Sequence, residues 1–145
     1  MRFVTRERAK VDRIACPWLI SRFVDPGAEF IFVPADKVWE TARQRDAVPF
    51  DVEGAELGHH GNKCSFDAVI RKFDLQDPGL PLLAEIVRGA DVPGTGPPES
   101  AGLKAIALGF HHVSEDDHDN MHMQFAVYDA LLAYCRERAK EHGIG

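Results

Sequence analysis

A glycine-framed histidine pair, Gly58-His59-His60-Gly61, follows the carboxylates Asp51, Glu53 and Glu56 and precedes the thiol of Cys64. Glycines on both sides permit a sharp turn and close approach of the backbone to a ligand. Imidazole, carboxylate and thiol are all metal ligands, and an imidazole also suits proton transfer. The spacing Glu56-x2-His59-x4-Cys64 matches no established zinc site, so a turn whose histidine bonds backbone remains the competing reading.

A second cluster is His111-His112 followed by Asp116-Asp117-His118-Asp119 and His122. On a helix starting near Asp116, His118 and His122 stand four residues apart on one face and can share a metal. The run His118-Asp119-Asn120-Met121-His122 lacks the glutamate of the zinc-protease motif, so proteolysis is not inferred. A solvated acidic first turn is the plainer alternative. The most specific expectation combines the clusters: Glu56 and His59 meet His118 and His122 around one divalent metal, zinc, iron or manganese.

A third set is cationic. Arg13 and Arg22 lie in an apolar stretch, Ile14-Ala15-Cys16-Pro17-Trp18-Leu19-Ile20, with Arg6 upstream. Buried guanidinium is costly unless paired. Either Asp12 and Asp25 neutralise these arginines, or Arg6, Arg13 and Arg22 converge on an anion, for which guanidinium forks are suited. Cys16 reads as a thiolate only if a helix N-terminus faces it, and otherwise as a small buried residue.

The chain that must position these groups has 145 residues and a net charge of −6. That length fits one domain, 1–145, and buries a core without disulfides or a structural metal. The acidic balance argues against nucleic-acid binding by the surface at large. Three widely spaced cysteines without a CxxC pair read as reduced thiols, and the charged N-terminus reads as neither signal peptide nor membrane span, so the expected location is cytoplasmic with no membrane partner. No Walker loop, strand-associated GxGxxG or GxSxG occurs, which leaves ATP, dinucleotide and α/β-hydrolase chemistry without support.

Strands are expected at residues 2–5, 29–33 and, more weakly because of Pro49, 48–52. Helices are expected at residues 16–24, 35–45, 65–73, 78–90, 99–109 and 116–141 from their apolar periodicity and end signals. Residues 92–100, with three prolines and two glycines, must form a loop. The expected fold class is α-rich α+β: a small N-terminal sheet of about three strands covered by about six helices.

Taken together, Thr5-Arg6, the run from Asp12 to Ile20 with Arg22-Phe23 and Asp25, Pro49-Phe50-Asp51, Glu56-Leu57-Gly58-His59 with Gly61 and Cys64-Ser65-Phe66, Asp77-Pro78, Ile86-Val87-Arg88, Ala90-Asp91, Glu99 and Tyr128-Asp129-Ala130-Leu131 resemble the C-terminal domain of the chromate-resistance protein ChrB family. The likeness runs through essentially the whole chain, in order; His60 stands where that pattern carries arginine. The resemblance implies a role in chromate resistance as sensor or accessory factor. It implies no direct nucleic-acid contact by this chain, because the separate N-terminal part of full-length regulators is not in it. Of the site residues, Arg6, Arg13, Arg22, Glu56 and His59 fall on the resembling positions, while His118 and His122 rest on spacing alone. The expected function is therefore binding of a small inorganic oxyanion, a metal ion, or both. The alternative is a metal-dependent enzyme that uses the histidine and carboxylate groups for redox or hydrolytic chemistry. Oligomeric state is not set by the sequence.

Overall fold

Five residues of alternating pattern, Arg2–Arg6, form the central strand β1. A computed structural model of the chain, describing residues 1–92 and 94–143, places this strand between two parallel neighbours. β2, Glu29–Val33, pairs with it from Arg2↔Glu29 to Arg6↔Val33. β3, Val48–Pro49, pairs at Phe3↔Val48 and Val4↔Pro49 on the other side. Parallel neighbours need crossovers. Helix α1, Asp12–Phe23, joins β1 to β2, and a 3₁₀ turn, Ala35–Lys37, followed by α2, Val38–Arg45, joins β2 to β3. The spatial order β2-β1-β3 is the start of a doubly wound sheet, whose switch point lies between the carboxyl ends of β1 and β3.

The period-2 alternation sorts side chains to two faces. Val4, Ile31 and Val33 pack with Val38, Ala42 and Ala47 beneath α2. Phe3, Phe30 and Phe32 face the main core with α1. That core is completed by α3 (Ser65–Lys72), α4 (Leu80–Asp91), α5 (Glu99–Val113) and α6 (Asp117–Glu141). Among the described residues, six α-helices and three strands thus match the expected class, the sheet being parallel. No helix among the described residues is long and apolar enough to cross a membrane. The three cysteines are buried and unpaired.

Several boundaries move. α1 begins at Asp12, not near Cys16, so Pro17 sits inside the helix and is buried there. The helix is buried continuously from Ile14 to Ile20, which explains why its apolar residues keep no single face. α5 runs through Gly109 to Val113, and β3 stops at Pro49 on a sheet edge, where a missing N–H is tolerated. The expected loop at 92–100 includes residue 93, which lies outside the described residues, as do 144 and 145. Pro98 then precedes α5, whose first residue, Glu99, falls within the expected loop.

Trp18 is fully buried at the centre of this arrangement. Its ring stacks on Phe66 at 6.5 Å, tilts against Tyr128 at 5.8 Å and meets Phe23 edge-on at 6.1 Å. Its Nε1–H donates to Asp129 at 2.8 Å, which also receives both Nε and Nη2 of Arg22. Phe23 is only partly buried and packs against the core from its edge. On another side, Asp77 accepts from Gly79 N at the start of α4 and from Arg136 of α6. Arg136, followed by the Gly79 N–H, holds the Asp77 carboxyl below its usual range against a smaller opposing effect of burial.

Two outcomes follow. Trp18→Ala removes the central ring and is expected to lower unfolding free energy by about 3–5 kcal/mol, read by urea denaturation; an unchanged midpoint would contradict a core role. Arg136→Ala lowers stability at neutral pH. Because the folded pKa of Asp77 is depressed, its contribution is full above the unfolded value of about 3.9 and is lost as pH falls through the lower folded value. The stability gap between wild type and Arg136→Ala, followed by thermal melts, therefore closes below about pH 4.

Candidate functional site

Backbone strain marks the carboxyl ends of β1 and β3. After β1 the chain turns through Arg8 at φ 62°, held by Asp117 of α6, whose carboxylate accepts from Arg8 N and Ala9 N at 2.9 and 2.7 Å. After β3, Asp51 adopts φ 48° and points its side chain back across the sheet end. These turns bring Asp12, the first residue of α1, beside Asp51.

Asp12 is fully buried. Its carboxylate accepts from Ser65 N at 2.8 Å and Phe66 N at 3.1 Å, the first two residues of α3, and from the Cys16 thiol at 3.6 Å. One anion thus sits at the positive ends of two helices, where N–H groups lack intrahelical partners. Asp51 is equally committed: Ser65 Oγ donates to it at 2.9 Å, and Arg13 and Arg6 reach its other oxygen at 3.3 and 3.4 Å.

The histidine loop enters from the side. Gly61 at φ 63° closes a turn in which His60 and Lys63 exchange backbone hydrogen bonds of 3.1 Å. The His60 ring is tied to Glu56 O at 2.8 Å. That leaves His59 aimed inward, its Nε2 lying 3.1 Å from Asp51, 3.2 Å from Asp91 and 3.5 Å from Asp12. Asp91 is the last residue of α4. One ligand atom each from Asp12, His59 and Asp91 falls within a sphere where all lie no more than 4.8 Å apart.

The electrostatics report a demand for positive charge. Acceptance by Asp12, with the fields of Asp51 and Asp91, raises His59 to about 9 although burial opposes it. Burial first, then Asp12 and Asp51, raise Asp91 to about 6. Asp51 is also raised, by burial and then by Asp12, against the pull of Arg13. A proton on His59 Nε2 occupies the place a cation would take.

His59 is 46% exposed and borders two clefts. One of about 320 Å³ runs between it, Lys63, Cys64, Arg88 and the loop at Thr95 and Gly96. That loop lies close on α4: a Cβ at Gly89 would come 2.6 Å from Thr95 O. The other, about 540 Å³, is lined by Arg6, Ala35, Asp51, Glu53 and Gly54.

Comparison with known proteins adds the family. The model of the ChrB C-terminal domain matches residues 3–135. The chain belongs to the ChrB C-terminal domain family. Protein ChrB of Cupriavidus metallidurans is 39% identical over 135 residues, covering 91% of this chain and 40% of that protein. The chain therefore spans less than half the length of that relative. No solved structure matches.

Within this ChrB C-terminal domain, the residues singled out by sequence divide. Arg6 and Arg13 converge, but on Asp51, while Arg22 is taken up by Asp129 and lies 5.3 Å over the Phe125 ring. The metal set of Glu56, His59, His118 and His122 is not brought together: the groups that gather with His59 are Asp12 and Asp91. Glu56 points outward to Lys72 at 3.0 Å. The His118 ring bonds Phe30 O at 2.6 Å and meets Phe32 edge-on, and His122 is exposed beside Phe125. The reason is local. His118 is the second residue of α6, and at that end of the helix the nearest acceptor is a strand carbonyl. Helical spacing aligned the two imidazoles without specifying what the face meets. Asp12 carried a signal, a carboxylate in an apolar run, and Asp51 another, following a strand; Asp91 at the end of α4 carried only its place in the Ala90-Asp91 pair of the family pattern.

The dual capping by Asp12 has a measurable consequence. Asp12→Ala leaves the buried N–H groups of Ser65 and Phe66 without acceptors and is expected to lower unfolding free energy by roughly 2–4 kcal/mol. Asp12→Asn keeps one acceptor oxygen and falls between that and wild type in urea denaturation. Equal stability of all three would remove Asp12 from the structural role.

Proposed function

We propose that this domain serves chromate resistance by holding one divalent cation between Asp12, His59 and Asp91, with an oxyanion as the ligand of its open side. The observation that carries the reading is the gathering of three ligand atoms from α1, the histidine loop and α4 at the carboxyl ends of the strands. Family membership supplies the link to chromate resistance.

Charge decides between anion and cation as the first ligand. Asp12, Asp51 and Asp91 surround the imidazole, while Arg6 and Arg13 share the single carboxylate of Asp51. A bare oxyanion meets repulsion here. A divalent cation balances Asp12 and Asp91 and leaves the arginine pair with one positive charge in surplus over Asp51. An oxyanion is then drawn to the cation beside Arg6, which lines the 540 Å³ cleft with His59. Oxygen and imidazole ligands accord with manganese, iron or zinc; the thiols of Cys16 and Cys64 are raised by burial and donate to Asp12 and Asp67, which keeps them protonated.

The exposure of His59 between two clefts favours a second reading, a metal-dependent enzyme. Three protein ligands with open positions are the catalytic rather than the structural pattern. In it Asp12, His59 and Asp91 would hold a cation that supplies Lewis-acid chemistry to a water or an oxyanion.

Elemental analysis of purified protein after equilibration with manganese, iron(II) or zinc is expected to give about one equivalent per chain. His59→Ala and Asp91→Asn each abolish it, whereas Glu56→Ala, His118→Ala and His122→Ala retain it. Titration calorimetry with chromate is expected to show binding to the loaded protein and little to the metal-free form. Absence of metal uptake in wild type, or its survival in His59→Ala, overturns the reading.

A further inference from the structure

The larger cleft beside His59 exceeds the needs of a small inorganic ion. Its volume is about 540 Å³. A tetrahedral oxyanion displaces only a few water volumes of about 30 Å³ each, which leaves most of that space to solvent. Pockets of roughly 300–1,000 Å³ suit organic ligands of moderate size. The walls carry three kinds of group that such a ligand could use.

Trp39 stands at the border. Ala35 lines the cleft, and Trp39 follows it by four residues, on the same side of the turn that leads into α2. Gly54 lines the cleft as well, at φ 84°, and a Cβ there would come 3.7 Å from Trp39 Cζ2. The indole therefore lies against the Gly54 backbone, and it is 44% exposed. An exposed tryptophan needs no explanation by itself. One seated beside a cleft at the strand ends offers an aromatic surface to a ligand. Next to Gly54, Glu53 is exposed and lines the same cleft with its acceptor oxygens. Arg6, at the end of β1, is the cationic group there and remains 40% exposed while it shares Asp51 with Arg13.

We propose that this cleft takes a mononucleotide, with its phosphate on the bound cation and Arg6, its ribose hydroxyls on Glu53 and its base against Trp39. The inference rests on the cation site proposed above and names the class of oxyanion that site receives. The place in the fold agrees. A doubly wound sheet binds nucleotides beyond the carboxyl ends of its strands at the switch point, where an acidic side chain commonly accepts from the ribose. The chain has no glycine-rich phosphate loop. A cation and a guanidinium supply the same charge neutralisation without one.

Titration calorimetry of the manganese-loaded full chain is the test, with adenosine monophosphate, ribose phosphate and inorganic phosphate as probes. Adenosine monophosphate is expected to bind about tenfold tighter than ribose phosphate, the usual worth of stacking one base. Trp39→Ala, at an exposed helical position, removes that preference and leaves inorganic phosphate binding unchanged, while Trp39→Phe keeps most of it. Glu53→Gln weakens adenosine monophosphate but not its dideoxy analogue. Indole emission reports the contact directly: the nucleotide quenches wild type but not Trp39→Phe, in which only the buried Trp18 emits. A manganese-loaded chain that binds inorganic phosphate, ribose phosphate and adenosine monophosphate equally overturns the inference and leaves the cation site standing. A Trp39→Ala protein that keeps the full preference for the nucleotide does the same. Failure to take up manganese, read by elemental analysis before any nucleotide is added, overturns both.

Discussion

The arrangement depends on one buried carboxylate. Asp12 opens α1, accepts the first two free N–H groups of α3, and approaches the imidazole of His59. Without it the two helices would present unpaired donors to each other across an apolar contact, a cost that packing alone does not offset. With it, the α1–α3 contact forms around a charge, and that charge must find positive partners. The helix ends supply part of this. The proton on His59, or a cation in that proton's place, supplies the rest.

This constraint explains why the site is crowded with acids that disfavour one another. Asp51 and Asp91 are both raised by burial and by Asp12. Left alone, such a cluster weakens the fold. Arg6 and Arg13 moderate the cluster through Asp51, and Arg13 makes a further bond to Arg8 O, so the arginines brace the turn after β1 as well as the charge. α6 reaches the same turn from below, through Asp117 on Arg8 and Ala9 and through Asn120 on Ala9 O. The site is thereby mounted on the sheet and on α1, α3, α4 and α6 at once.

The sheet's topology supplies the remaining geometry. In the order β2-β1-β3 the connection from β1 runs to the neighbour on one side, and the connection from β2 then passes β1 to the neighbour on the other, which opens a crevice beyond the carboxyl ends of β1 and β3. Arg6 ends β1 and Asp51 follows β3, so two residues distant in sequence meet there through strand pairing. Helices α3 and α4 then wall the crevice and deliver Ser65 and Asp91. The histidine loop, pinned by the His60–Lys63 turn, closes the side.

By itself the sequence determined the elements and the family. Apolar periodicity and end signals are local, so three strands and six helices could be read within a few residues. The place of Arg13 in an apolar segment and of His59 on a sharp turn was also legible, because an apolar run and a glycine-framed loop constrain their residues wherever they pack. What tertiary structure alone decided is partnership. Arg22 was diverted to Asp129, His118 to a strand carbonyl, and Glu56 to Lys72. Asp91 joined the site only because α4 ends there. Charge pairing acts over a few ångströms of space and is indifferent to separation along the chain, so spacing within one helix or loop can nominate a ligand without naming the groups that complete the set.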